Sequence, residues 1–147
     1  MRPDALAFLD GYVGQWTVTL TDAWFLDSRE VTVHGAATFA WQDEGLLRFH
    51  WTMEDEEGSW TVYVIGYSEP QDRFTALTYD YRGVSRIFEM TVDGTSWTML
   101  REDPDFHQRV TWRLDGPDRI LAQPFASEDE GATWRKDFDL ILERAPA

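Results

Sequence analysis

The chain has 147 residues, no cysteine and a net charge of -14, from 27 acidic against 13 basic side chains. The length supplies one domain, residues 1–147, with a substantial core. The missing thiols exclude a disulfide framework, a thiolate metal site and a cysteine nucleophile, and the acidic balance repels nucleic-acid phosphates and anionic membrane surfaces alike.

At the start, residues 3–9 combine Pro and Asp with Leu6, Phe8 and Leu9, which reads as a short helix within residues 1–12, a plug or lid. This opening lacks the apolar core of a signal peptide and no run is long enough to span a bilayer, so the expected location is the cytoplasm. Gly14-Gln15-Trp16 then leads into Thr17-Val18-Thr19-Leu20-Thr21, an alternation that points Trp16, Val18 and Leu20 inward. A longer connection over 22–30 precedes a strand over 31–41, with Gly35 read as a bulge position. Asp43-Glu44-Gly45 turns into 46–53, where Leu47, Phe49, Trp51 and Met53 share one face and Arg48 and His50 the other. Residues 59–67 are apolar on both faces and leave their direction open.

Residues 77–101 hold three alternating runs separated by Arg82-Gly83 and Asp93-Gly94, the pattern of a three-stranded meander. With two-residue turns, Tyr81 opposes Val84, Tyr79 opposes Arg86, Met90 opposes Trp97, Phe88 opposes Met99 and Arg86 opposes Arg101. One face then carries Leu77, Tyr79, Tyr81, Arg86, Phe88, Met90, Trp97, Met99 and Arg101, and its apolar content makes it the buried one. Phe106, Gln108, Val110 and Trp112 alternate with His107, Arg109, Thr111 and Arg113 in the next strand. Pro124 places an edge or bulge in the strand over 119–126. The last strand, 133–144, is expected to turn Trp134, Phe138, Leu140 and Leu142 inward.

Ten strands at hairpin spacing with almost no helix predict an all-β, ten-stranded antiparallel up-and-down barrel, because closure removes the edges a meander exposes. A barrel of that size predicts a hydrophobic cavity for a small molecule. The Gly14-x-Trp16 motif on the first strand and Arg144 ending the last resemble the calycin group of lipocalins, fatty-acid-binding proteins and nitrobindin-like barrels. In those barrels such a Trp and Arg pack together at the closed end. The segments 79–86 (YDYRGVSR), 105–109 (DFHQR) and 134–140 (WRKDFDL) are similar to a family of small uncharacterised bacterial lipocalin-like proteins, a similarity that spans roughly the whole chain. His107, Trp112 and Pro124 depart from that family's pattern.

Phosphate loops, a Walker lysine and a G-x-S-x-G elbow are absent from the sequence. His34, His50 and His107 sit on separate strands without ligand spacing, so no metal and no cofactor is expected. Haem with a histidine ligand, as the nitrobindin-like resemblance implies, is the lower alternative, because parity turns His50 and His107 outward. What remains is guanidinium and phenol chemistry on an inward face. Arg86, Arg101 and Tyr79 would clamp an anion, with Trp51, Tyr81, Phe88, Met90, Trp97, Met99, Gln108 and Trp112 around its amphipathic or aromatic body. The expected function is binding of that molecule by a monomer or homodimer. The alternative is a cofactor-free cyclase, isomerase or dehydratase in which Arg86 and Arg101 stabilise an oxyanion and Tyr79 or His107 moves a proton.

Overall fold

Residues 4–146 of the chain are described by the computed structural model. The alternating runs become β1 (Gly14–Thr21), β2 (Val33–Gln42), β3 (Leu46–Met53), β4 (Trp60–Ser68), β5 (Arg73–Asp80) and β6 (Ser85–Asp93). They continue as β7 (Ser96–Glu102), β8 (His107–Leu114), β9 (Arg119–Ser127), the short β10 (Arg135–Lys136) and β11 (Asp139–Arg144). Each strand is antiparallel to its neighbours, β9 pairs with β8 on one side and with β10 and β11 on the other, and β11 pairs with β1. The result is the expected closed barrel of ten strands, with β10 as an extra two-residue segment on β9.

Pro124 explains why the last strand is broken in two. Its nitrogen carries no hydrogen to donate to the ladder. β10 pairs Arg135 with Ala126, whereas β11 pairs Leu140 with Ala122, so the register shifts by one across Asp137 and Phe138. That is a β-bulge facing Pro124, bridged by the Asp137 N–H donating to the Pro124 carbonyl at 2.9 Å. The extra residue reverses side-chain parity. Phe138, Leu140 and Leu142 point inward as expected, but Trp134 lies on the outer surface beneath Arg109. Gly35 is no bulge: β2 keeps one register from Gly35 to Gln42, and the glycine instead accommodates the Thr52 carbonyl, which would stand 2.0 Å from an added Cβ.

The meander forms, but with a different register. Tyr79 pairs with Ser85 and Thr78 with Arg86, because the connection is the three-residue loop Tyr81-Arg82-Gly83 with Gly83 at φ 78°. One residue of slip exchanges the two faces of β5. Phe74, Ala76 and Thr78 therefore pack inward, while Leu77, Tyr79 and Tyr81, expected inside, face out, with Tyr79 39% exposed. Tyr79 sits edge-on to Trp60 at 6.0 Å on the outer surface and helps cover Val62. The second turn is Gly94-Thr95, so Met90 pairs with Met99 and Val92 with Trp97. A shift of two preserves the face, and Arg86, Phe88, Met90, Trp97, Met99 and Arg101 all remain inward.

One end of the barrel is plugged. Asp4–Tyr12 forms a 3-10 helix whose Leu6, Leu9 and Tyr12 are fully buried; Pro3, the expected first residue of the helix, lies outside the described residues. The Tyr12 hydroxyl donates to the Thr95 carbonyl at 2.5 Å, and its ring meets Phe39 and Trp97. At the same end Trp16 is buried, donates its indole N–H to the Tyr12 carbonyl at 2.8 Å and carries the Arg144 guanidinium 4.2 Å above its ring. Arg144 also donates to the carbonyls of Gly11, Val13 and Pro117, tying first and last strands to the plug as the Trp–Arg pairing predicts. Among the described residues no helix is long and apolar enough to cross a membrane.

Candidate functional site

The plug occupies one end, and the connections 54–59, 81–84 and 103–106 gather at the other. The two halves of the interior differ. Trp16, Phe39, Leu47, Phe49, Trp97 and Trp112 are shut off from solvent in the plugged half and the middle. Towards the other end Trp51, Thr61, Arg86 and Gln108 point inward by register and yet remain only half-buried. An inward side chain that still meets solvent marks an open mouth.

The floor of this mouth is aromatic. Trp97 and Trp112 are a cross-strand pair stacked at 5.3 Å and 13°. Phe39 stacks on Phe49 at 3.9 Å, Phe49 stands edge-on to Trp112 at 5.0 Å, and Tyr63 lies edge-on to both Phe49 and Trp112. The expected wide cavity lined by Trp97, Met99, Trp112 and Met90 is therefore filled at these positions, because ring-on-ring packing of β2, β3, β7 and β8 closes it. Three indole N–H groups, of Trp51, Trp97 and Trp112, are buried in the interior without a hydrogen-bond partner among the described residues. The Tyr63 phenol lies beside Trp51 without bonding geometry; burial pushes its pKa up and the Trp51 indole only partly offsets that. Its inward placement was missed because 59–67 is apolar on both faces.

Arg86 and Arg101 do not oppose one another directly, since the β6–β7 register differs from the expected one by two. Their environments differ more than their shared face suggests. Arg101, 6% exposed, donates to Asp103 and Asp105 at 2.6 Å each and to the Phe106 carbonyl at 3.2 Å. Burial pulls its pKa down, but the bonds to Asp105 and Asp103 outweigh that and raise it. This guanidinium is committed to its own loop through three hydrogen bonds, two of them ion pairs, and holds residues 103–106 in place.

Arg86 has no carboxylate partner among the described residues. It donates to Gln108 Oε1 at 3.2 Å and lies 5.3 Å over the Phe106 ring, which Arg101 contacts from 4.8 Å. Burial lowers its pKa first, and the neighbouring charge of Arg101 adds to that. Because Gln108 accepts through its oxygen, its amide N–H groups remain available beside the guanidinium. The mouth thus offers a cation and an amide donor above an aromatic floor.

The other predicted residues do not join them. Tyr79 and Tyr81 are outside, and Tyr81 donates to Glu57 instead. His107 lies on the outer face near Trp134, and His34 and His50 also face out by register, so no histidine reaches the interior to serve as acid, base or axial ligand.

No protein-family model matches the chain, and no curated protein does. Among solved structures, the crystal structure of Rv2717c from M. tuberculosis is similar over 99% of this chain and 100% of that one, with a TM-score of 0.70 at 13% identity. A de novo designed fluorescence-activating β-barrel matches over 97% of this chain and 99% of its own, with a TM-score of 0.50 at 10% identity. Identities this low carry the barrel fold and no more.

Proposed function

We propose that the barrel binds a small amphipathic or aromatic organic anion at its open end. The acidic group meets Arg86 and the Gln108 amide, and the apolar body lies against Trp51 above the closed floor of stacked rings. The observation that carries this is Arg86, an inward, half-buried guanidinium that forms no ion pair among the described residues of a chain with 27 acidic side chains. A desolvated cation is costly unless paired, and a bound carboxylate or similar oxyanion supplies the pair with a two-pronged geometry. Binding is favoured over catalysis because Tyr79 and His107, the proton carriers the enzyme reading relies on, lie outside. The stacked Trp16 and Arg144 support kinship with the calycin group, and the fluorescence-activating design is a precedent for small-molecule work in a barrel of this form.

The test is a titration of aromatic and medium-chain carboxylates against the purified chain, followed by tryptophan fluorescence and calorimetry. Arg86→Met should weaken binding by about tenfold or more, the equivalent of one charged hydrogen bond, without loss of folding. Tyr79→Phe should leave affinity unchanged. Equal affinity for wild type and Arg86→Met would sink the assignment.

A further inference from the structure

The outer wall over β8, β9 and β11 carries a groove of about 480 Å³. Its lining is set by strand parity. Arg109, Thr111 and Arg113 alternate with the inward Val110 and Trp112, and opposite them stand Phe125, Gln123 and Leu121, with Ile141 beyond. A volume of this order suits a small molecule.

Its charge sets it apart from most of the chain. Arg29, Arg73, Arg82, Arg119, Arg135 and Lys136 each reach a carboxylate within 4.0 Å, whereas Arg48 and Arg86 do not among the described residues. Arg109 and Arg113 have no such partner among the described residues, although they share one groove and 27 acidic residues are available. Arg109 is held in place by apolar surface instead: its guanidinium sits 4.4 Å over Trp134 and 5.5 Å from the Phe125 ring. Trp134 reaches that position only because the bulge opposite Pro124 turns it outward. The carboxylate in the lining, Asp139, is already engaged by Lys136 at 3.0 Å and by Gln123 at 2.8 Å. The groove therefore presents one pinned and one free guanidinium beside an apolar floor of Leu121 and Ile141.

We infer that this groove is a second binding site, separate from the open mouth, for a small organic acid with a flat apolar body. Its acidic group meets Arg113, with Arg109 at the far end of the groove, and its body lies across Leu121 and Ile141. Complementary charge selects the anion, and the neutral floor selects an amphipathic molecule over a free inorganic ion. The inference does not depend on the mouth being a site.

Anilinonaphthalene sulfonate, an anionic aromatic probe, tests it on the whole chain by fluorescence titration and amide NMR. Binding should shift the amide signals of Thr111, Gln123 and Ile141. Arg113→Gln should weaken that binding about tenfold, and Thr111→Glu, which places a carboxylate between the arginines, should abolish it. Both positions are exposed, so folding is not at stake. Arg86→Met should leave these shifts intact. The inference is overturned if Arg113→Gln binds the probe as wild type does, or if the shifts avoid the groove and vanish with Arg86→Met.

Discussion

Arg101→Met separates a structural arginine from a ligand-binding one. The substitution keeps most of the buried stem and removes two carboxylate bonds of 2.6 Å, a carbonyl bond of 3.2 Å and a cation 4.8 Å over Phe106. Charged hydrogen bonds contribute roughly 1.5 to 3 kcal/mol each when protected. Here Asp103 and Asp105 are 52% and 53% exposed, so water rehydrates them once the arginine is gone, and each pair is discounted to about 1 kcal/mol. The carbonyl bond adds about 1 kcal/mol and the ring contact about 0.5 kcal/mol. Against this gross loss of about 3.5 kcal/mol stands relief from burying a guanidinium, on the order of 1 to 2 kcal/mol. The expected net destabilisation is about 2 kcal/mol, which at a urea m-value of about 2 kcal/mol/M moves the unfolding midpoint down by about 1 M. Ligand affinity at the mouth should change little in molecules that remain folded. Unchanged or increased stability combined with lost binding would refute this reasoning and return Arg101 to the binding site.

Trp97→Ala should cost about 3 to 5 kcal/mol, because the indole is fully buried and stacked on Trp112, and a loss below 1 kcal/mol by chemical denaturation would mean that the wall is already hollow. Gly35→Ala puts a Cβ 2.0 Å from the Thr52 carbonyl, a backbone atom that cannot rotate away, so a loss of about 3 kcal/mol or a failure to fold is expected from urea melts. Asp129 accepts from the Thr133 hydroxyl and N–H and from Ser127, which lowers its pKa to about 2. A folded-state pKa below the unfolded value of about 3.9 means that its contribution is complete above that value and disappears as pH falls through about 2. Asp129→Asn should therefore be less stable than wild type at pH 7, with the gap closing between about pH 4 and pH 2 in pH-resolved denaturation; a gap independent of pH contradicts the assignment.

The alternation of Trp16-Val18-Leu20, Leu47-Phe49-Trp51-Met53 and Gln108-Val110-Trp112 was enough to assign faces on β1, β3 and β8, since parity within a strand is a local property. It was also enough to call for closure. Pro124 marked an irregularity through its missing N–H, but the bulge lies on the facing strand, across Asp137 and Phe138, while β9 itself keeps one register with β8. β5 shows where local reading stops. Arg82-Gly83 as a two-residue turn would require positive φ at the arginine as well as the glycine, which is unfavourable, whereas a three-residue loop ending in Gly83 needs it at the glycine alone. The apolar and aromatic side chains of Leu77, Tyr79 and Tyr81 point to the other register. Trp134 failed for a related reason, because one bulge residue upstream of Phe138 reversed its side.

Alternation along a strand, with the turn spacing, thus sufficed for the barrel and the inward set that contains Arg86, and the plug was legible in the short N-terminal helix. Only the assembled sheet decided which arginine is free, because Asp103 and Asp105 reach Arg101 from a loop whose path depends on where β7 and β8 end. The filling of the middle by stacked rings was likewise beyond local reading, since it depends on the distance between β3 and β8, strands far apart in sequence that meet only when the ring closes.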